Sequence, residues 1–192
     1  VLEFCTMWSH QMKTPIAAMQ LLLSEEKTDV TAVKAELLKI SDYLEMVMTY
    51  LRLGSDSTDY VFRKTALDDV VREEIRKYSR LFILKKIHLE FTETQRFITT
   101  DEKWLGFEIG QIISNALKYS LPGSRVFIDL STSFVEAIAT IKNTASYEMD
   151  FGPDDILQRF VRGDESRGTE GSGLGLSIAQ SFTEACGGKF SI

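Results

Sequence analysis

Residues Val30 to Leu51 read VTAVKAELLKISDYLEMVMTYL, and the apolar positions Val30, Val33, Leu37, Ile40, Leu44, Val47 and Leu51 step by three and four in strict alternation. That is a heptad stripe, the pattern of a helix packed in a bundle or coiled coil. Upstream, Trp8, Met12, Ile16, Met19 and Leu23 make a second stripe of the same kind. The polar run Ser24-Glu25-Glu26-Lys27-Thr28-Asp29 between them suits a hairpin connection. Two helices with one stripe each cannot cover one another completely. A second copy of the hairpin would complete a four-helix bundle, so a homodimer is expected.

The first 53 residues hold one proline and no glycine, and Gly54-Ser55-Asp56-Ser57 then breaks the pattern. Leu67 to Leu84 reads as an amphipathic helix and Lys86 to Phe91 as an alternating strand. Asp101 is placed to cap a helix running to about Tyr119. Arg125 to Leu130 and Glu136 to Lys142 read as a strand hairpin, Leu176 to Ala185 as a helix, and Gly187 to Ile192 as a turn into a short strand. This order suggests an α/β sandwich with helices on one face of a mixed sheet.

The 192 residues are 44% hydrophobic and 26% charged with a formal net charge of -6, which suits globular units and argues against a nucleic-acid grip. Cys5 and Cys186 stand far apart in no metal-like spacing and read as reduced packing residues. No apolar run approaches the ~20 residues of a membrane-spanning helix. The sequence opens inside a helical pattern, and the expectation is a piece of a longer protein.

Three segments carry chemistry. In Ser9-His10-Gln11-Met12-Lys13-Thr14-Pro15, His10 is turned away from the apolar stripe, as an ordinary surface histidine would be. Pro15 interrupts a well-patterned helix one turn later, at a cost of roughly 3 kcal/mol, which calls for a compensating use. A neutral imidazole suits a phosphoryl acceptor. In the helix ending at Tyr119, Gln111, Asn115 and Lys118 fall on one face, where amide oxygens suit Mg²⁺ and the ammonium suits phosphate, although such a stripe is ordinarily a solvated face. Gly171-Ser172-Gly173-Leu174-Gly175-Leu176 opens a helix, so its backbone can approach phosphate; it lacks both the Walker lysine and the strand of a dinucleotide fold. His88, Trp8, Trp104, Glu73, Glu74 and Asp101 take structural readings, the two glutamates as a solvated helix face.

His10-x-x-Lys13-Thr14-Pro15, Asn115-Ala116-Leu117-Lys118-Tyr119, Arg159-Phe160-Val161-Arg162-Gly163-Asp164 and Gly171 to Leu176 occur in this order along essentially the whole chain. Together they resemble the H, N, F and G2 boxes of bacterial sensor histidine kinases of two-component systems. The resemblance implies a dimerisation and histidine phosphotransfer hairpin over residues 1–55. It implies an ATP-binding domain over 56–192, of the GHKL (Bergerat) fold shared with gyrase, Hsp90 and MutL. It further implies a protein histidine kinase with ATP and Mg²⁺ as cofactors and a cognate response regulator as partner, acting in the cytoplasm through a membrane anchor outside this sequence. By the same resemblance His10 is the phosphorylated nucleophile, Gln11 its orienting neighbour and Thr14 the residue that positions water. Gln111 and Asn115 would handle Mg²⁺ and phosphates, and Lys118 and Tyr119 would line the nucleotide pocket. Phe160 would anchor a lid, Arg162 and Arg167 would approach the phosphates, and Gly171, Gly173, Leu174 and Gly175 would form the phosphate-side turn.

Three departures stand out. Gln11 replaces the usual acid after the histidine and cannot act as a base. Asn143 stands where the family has the aspartate of its Asp-x-Gly-x-Gly box, and the glycines are missing. Gln111 replaces an asparagine. Rival readings are a nucleotide-binding scaffold without kinase activity, a phosphatase-dominant regulator, and a gyrase- or MutL-like ATPase, which leaves His10 and Pro15 unexplained. Trp8 to Met19 also resembles kinases that work beside peptide-antibiotic exporters.

Overall fold

The computed structural model describes residues 2–53, 60–133, 136–144, 175–185 and 187–191. Phe160, Arg162, Arg167, Gly171, Gly173, Leu174, Cys186 and the Gly54–Ser57 break lie outside them. Two compact units are present: Val1–Thr58 with Asp150–Ile192, and Asp59–Met149.

In the first unit, α1 (Leu2–Ser24) and α2 (Val30–Leu53) pack as a hairpin. Asp29 starts α2, its Oδ1 accepting from the amides of Thr31 at 2.9 Å and Ala32 at 3.1 Å. Helix α1 runs unbroken through Pro15, whose ring is buried. Among the described side chains of α2, Tyr43, Met46 and Thr49 are buried. The heptad stripe lies elsewhere. Val30, Leu37, Leu44 and Leu51, seven residues apart, are 57%, 52%, 51% and 55% exposed, and Leu23 on α1 is 59% exposed. The hairpin thus closes on one set of residues and leaves its most regular apolar row uncovered. Among the described residues this unit also holds α5 (Gly175–Ala185), which touches α2. The short strand expected after it is absent from residues 187–191. Gly187, at φ +76°, turns the chain so that its amide and that of Gly188 donate back to the carbonyls of Glu184 and Thr183 at 2.9 and 2.8 Å.

The second unit holds five strands among the described residues. β1 (Arg63–Ala66) pairs antiparallel with β3 (Phe97–Thr100), Arg63 opposite Thr100. β2 (His88–Thr92) runs parallel to β4 (Arg125–Thr132), which pairs antiparallel with β5 (Ala137–Asn143), making a mixed three-stranded sheet in the order β2-β4-β5. Along β4 the period of two sends Val126, Ile128 and Leu130 into the core. They share it with Val70, Val71, Tyr78 and Phe82 of α3 (Leu67–Leu84) and Trp104, Phe107, Ile113 and Leu117 of α4 (Glu102–Tyr119).

Asp101 caps α4 as expected, its Oδ1 accepting from Lys103 N at 3.0 Å and Trp104 N at 3.2 Å. Its other oxygen accepts the Val61 amide at 2.7 Å. His88 is exposed and Trp104 buried, as read from sequence. Glu74 departs from the solvated-face expectation. Gly106 and Gly110, one turn apart on α4, leave a groove into which its carboxylate settles. A Cβ built on Gly110 would stand 2.6 Å from Glu74 Oε2, so the side chain is only 15% exposed, while Glu73 stays in solvent.

Candidate functional site

Helix α4 sets Gln111, Asn115 and Lys118 within about 60° of one another at 100° per residue. The stripe is not a solvated face. Every residue from Gly106 to Gln111 is buried, and Asn115, Lys118 and Tyr119 are half-buried. Gln111 sits with its amide inside the fold, a placement that ordinarily requires a polar partner or ligand. Glu108 lies one turn earlier on the same side of the helix. Burial pushes its carboxyl from an ordinary 4.5 up to about 8. Its position inside the apolar run Phe107-Glu108-Ile109 was the signal available in sequence.

The end of α4 is tightly held. Lys118 Nζ lies 4.8 Å from the centre of the Tyr119 ring, a cation–π contact. Lys85 Nζ donates to the carbonyl of Leu117 at 2.6 Å and to that of Lys118 at 3.2 Å. Burial, with Lys118 nearby, draws the Lys85 ammonium below its ordinary value. The Leu121 amide donates to the Thr144 carbonyl at 3.2 Å. This bond ties the segment after Tyr119 to the end of β5, where Asn143 is exposed opposite Val126. One unit therefore carries Gln111, Asn115, Lys118, Tyr119 and Asn143.

The donor set suits Mg²⁺ in a particular way. Gln111 and Asn115 offer neutral amide oxygens, hard ligands for a hard cation, so the charge balancing a cation there would have to come with a phosphate ligand. Among the described residues no cluster of three or more His, Cys, Asp or Glu side chains is placed for a metal.

The remaining described candidates, His10, Gln11, Thr14 and Gly175, belong to the other unit. His10 lies in α1; the direction of its side chain is outside the described set. Gln11 is half-buried, and its Oε1 accepts from the Tyr43 hydroxyl at 3.3 Å across the hairpin. Thr14, one turn beyond His10, is exposed. Gly175 is the first residue of α5. Tyr43 and Lys85 were not singled out from sequence. Tyr43 falls off the heptad stripe, and both side chains act on partners 32 residues away along the chain.

Residues 100–192 match the family described as histidine kinase-, DNA gyrase B-, and HSP90-like ATPase. The sensor histidine kinase YxdK of Bacillus subtilis is 29% identical over 187 residues, 94% of this chain and 57% of that protein. The sensor histidine kinase GraS of Staphylococcus epidermidis is 32% identical over 190 residues, 95% of this chain and 54% of that one. The chain thus spans about half the length of the curated relatives it matches. Among solved structures, histidine kinase ThkA in complex with response regulator protein TrrA aligns with a TM-score of 0.62 at 14% identity, over 98% of this chain and 56% of that one, a likeness of fold. No helix among the described residues is long and apolar enough to cross a membrane.

Proposed function

The chain belongs to the sensor histidine kinases, with an ATPase-family domain of the GHKL type over residues 100–192, and from that premise we propose that it is an autophosphorylating kinase core. The observation that carries this reading is the polar face of α4, on which Gln111 is buried and Asn115 and Lys118 are half-buried beside the end of β5. An imidazole nitrogen of His10 attacks the γ-phosphorus of ATP, the bond to the β–γ bridging oxygen breaks, ADP leaves, and the imidazole proton passes to water. The phosphoryl group then moves to an aspartate carboxylate of a response regulator, which restores His10. ThkA, captured with the response regulator TrrA, is the precedent for that class of partner.

Within this reading residues 1–55 are the phosphotransfer hairpin and 56–192 the ATP-binding domain. Gln111 and Asn115 would hold the metal through their amide oxygens, Lys118 neutralises phosphate, Tyr119 lines the pocket and the Asn143 amide oxygen accepts a hydrogen bond from the adenine amino group. Bound Mg²⁺ supplies positive charge to the phosphates. Phe160, Arg162 and Arg167 serve the lid, and Gly171, Gly173, Leu174 and Gly175 the phosphate-side turn. Gln11 orients rather than deprotonates, and exposed Thr14 positions the water that hydrolyses the response regulator's aspartyl phosphate, releasing inorganic phosphate. The uncovered row Val30, Leu37, Leu44 and Leu51 is the seam on which a second copy completes a four-helix bundle. The proposed setting is the cytoplasmic face of a membrane, through an anchor beyond this sequence.

A second reading has one observation in its favour. The side-chain oxygen of Gln11 already receives the Tyr43 hydroxyl, which suits a nucleotide-binding scaffold or phosphatase-dominant regulator in which His10 turns over slowly. Incubation with γ-labelled ATP and Mg²⁺, beside His10→Ala, separates the two. Acid-labile, base-stable label on the wild type and none on the variant supports the kinase. Nucleotide binding without label supports the scaffold.

A further inference from the structure

An α-helix leaves its last four carbonyls without partners inside the helix, and they gather the negative end of its dipole. At the end of α4 these belong to the turn that carries Lys118 and Tyr119. Ala116 O accepts from both the amide and the hydroxyl of Ser120. The carbonyls of Leu117 and Lys118 are taken by a side chain from another element, the Lys85 ammonium, at 2.6 and 3.2 Å. Lys85 also holds the turn beyond the helix, because its own carbonyl accepts the Gly123 amide at 3.0 Å. The following residue completes the clamp: the Ser124 carbonyl accepts the His88 amide at 2.9 Å, at the start of β2.

We propose that Lys85 is a positioning residue for nucleotide binding: by bridging the Leu117 and Lys118 carbonyls it fixes the last turn of α4 and so sets the place of the Lys118 side chain. This rests on the reading of α4 as the nucleotide face. Methionine, neutral and one atom shorter, would fill most of the same space and leave both carbonyls without their donor. Two cations also meet at this helix end, since Lys118 lowers the proton affinity of Lys85. An anion bound by Lys118 relieves that repulsion. Anion binding and the charge on Lys85 therefore support each other, and the coupling is reciprocal.

The test is a double-mutant cycle on the 192-residue chain, read by the affinity for a fluorescent ATP analogue with Mg²⁺. Lys85→Met is expected to weaken binding about tenfold and Lys85→Arg less than about threefold, whereas in a Lys118→Ala background Lys85→Met adds less than about twofold, because coupled residues are not additive. If Lys118→Ala alone leaves affinity unchanged, the nucleotide reading of α4 fails. If Lys118→Ala weakens binding while Lys85→Met leaves it unmoved, or adds its full loss on top, the positioning role is overturned and Lys85 is a structural cap. Thermal unfolding without nucleotide reports on folding, and Lys85→Leu runs the same cycle should the methionine variant fail to fold.

Discussion

The hairpin of α1 and α2 and the sandwich of residues 59–149 solve the same problem of burial in opposite ways. The sandwich closes on itself. Val71, Ile113, Val126 and Ile128 are fully buried within one copy of the chain. The hairpin buries Pro15, Tyr43 and Met46 but leaves Leu37, Leu44 and Leu51 about half exposed. A regular apolar stripe is thus not evidence of a core within the chain: Val33, Ile40 and Val47 are half-buried, while Leu37, Leu44 and Leu51 form the row proposed as a seam for a second copy. The sandwich has the opposite feature, polar side chains where apolar ones would pack, with Glu108 and Gln111 buried on the helix proposed to hold nucleotide. One unit leaves carbon exposed, and the other buries oxygen and nitrogen.

The largest expected effect strikes the hairpin. Leu37→Glu with Leu44→Glu should weaken self-association roughly a thousandfold, about 4 kcal/mol, in sedimentation equilibrium. Unchanged association would place the seam elsewhere and break the contrast. Next comes the sandwich: Ile113→Ala, at a position with no exposure, should lower stability by about 3 kcal/mol in urea unfolding and leave the association constant alone. A shift in association would mean that the two units do not hold their cores independently.

The smallest effect concerns pH. Folded Glu108 keeps its proton up to about 8, while the unfolded chain releases it near 4.5. Between those values the folded state binds more protons, so stability falls as pH rises through the window and levels off above it. Glu108→Gln mimics the protonated side chain and lacks this slope. Between pH 6 and pH 8 the wild type should lose roughly 2 kcal/mol relative to the variant, at up to about 1.4 kcal/mol per pH unit. Parallel profiles would show that burial does not govern this carboxyl.

Much of the fold was legible because its signals are local. The Asp101 cap and the break after Tyr119 bound α4, and the period of two in Arg125 to Leu130 marks β4. β1 carried no such signal: Arg63-Lys64-Thr65-Ala66 has no apolar alternation and becomes a strand through pairing with β3. The parallel pairing of β2 with β4 was equally silent, since a crossover and not a turn creates it. At the site, the spacing of Gln111, Asn115 and Lys118 was readable from one helix. Lys85 and Tyr43 were not, because their partners lie across the fold. Glu74 was misread for the same reason, as the glycines that admit it belong to α4.

Asp101 also has a mechanical consequence. Its two oxygens answer to different parts of the chain, one to the first turn of α4 and one to the amide of Val61 just ahead of β1. Tension applied to the chain before Val61 therefore reaches the root of α4 through this carboxylate and through the Tyr60 ring, which packs 5.5 Å from that of Trp104, a load path shorter than the one through the β1–β3 ladder. Side chains far along α4 would register a pull at the unit's entrance as a change in how their helix is anchored.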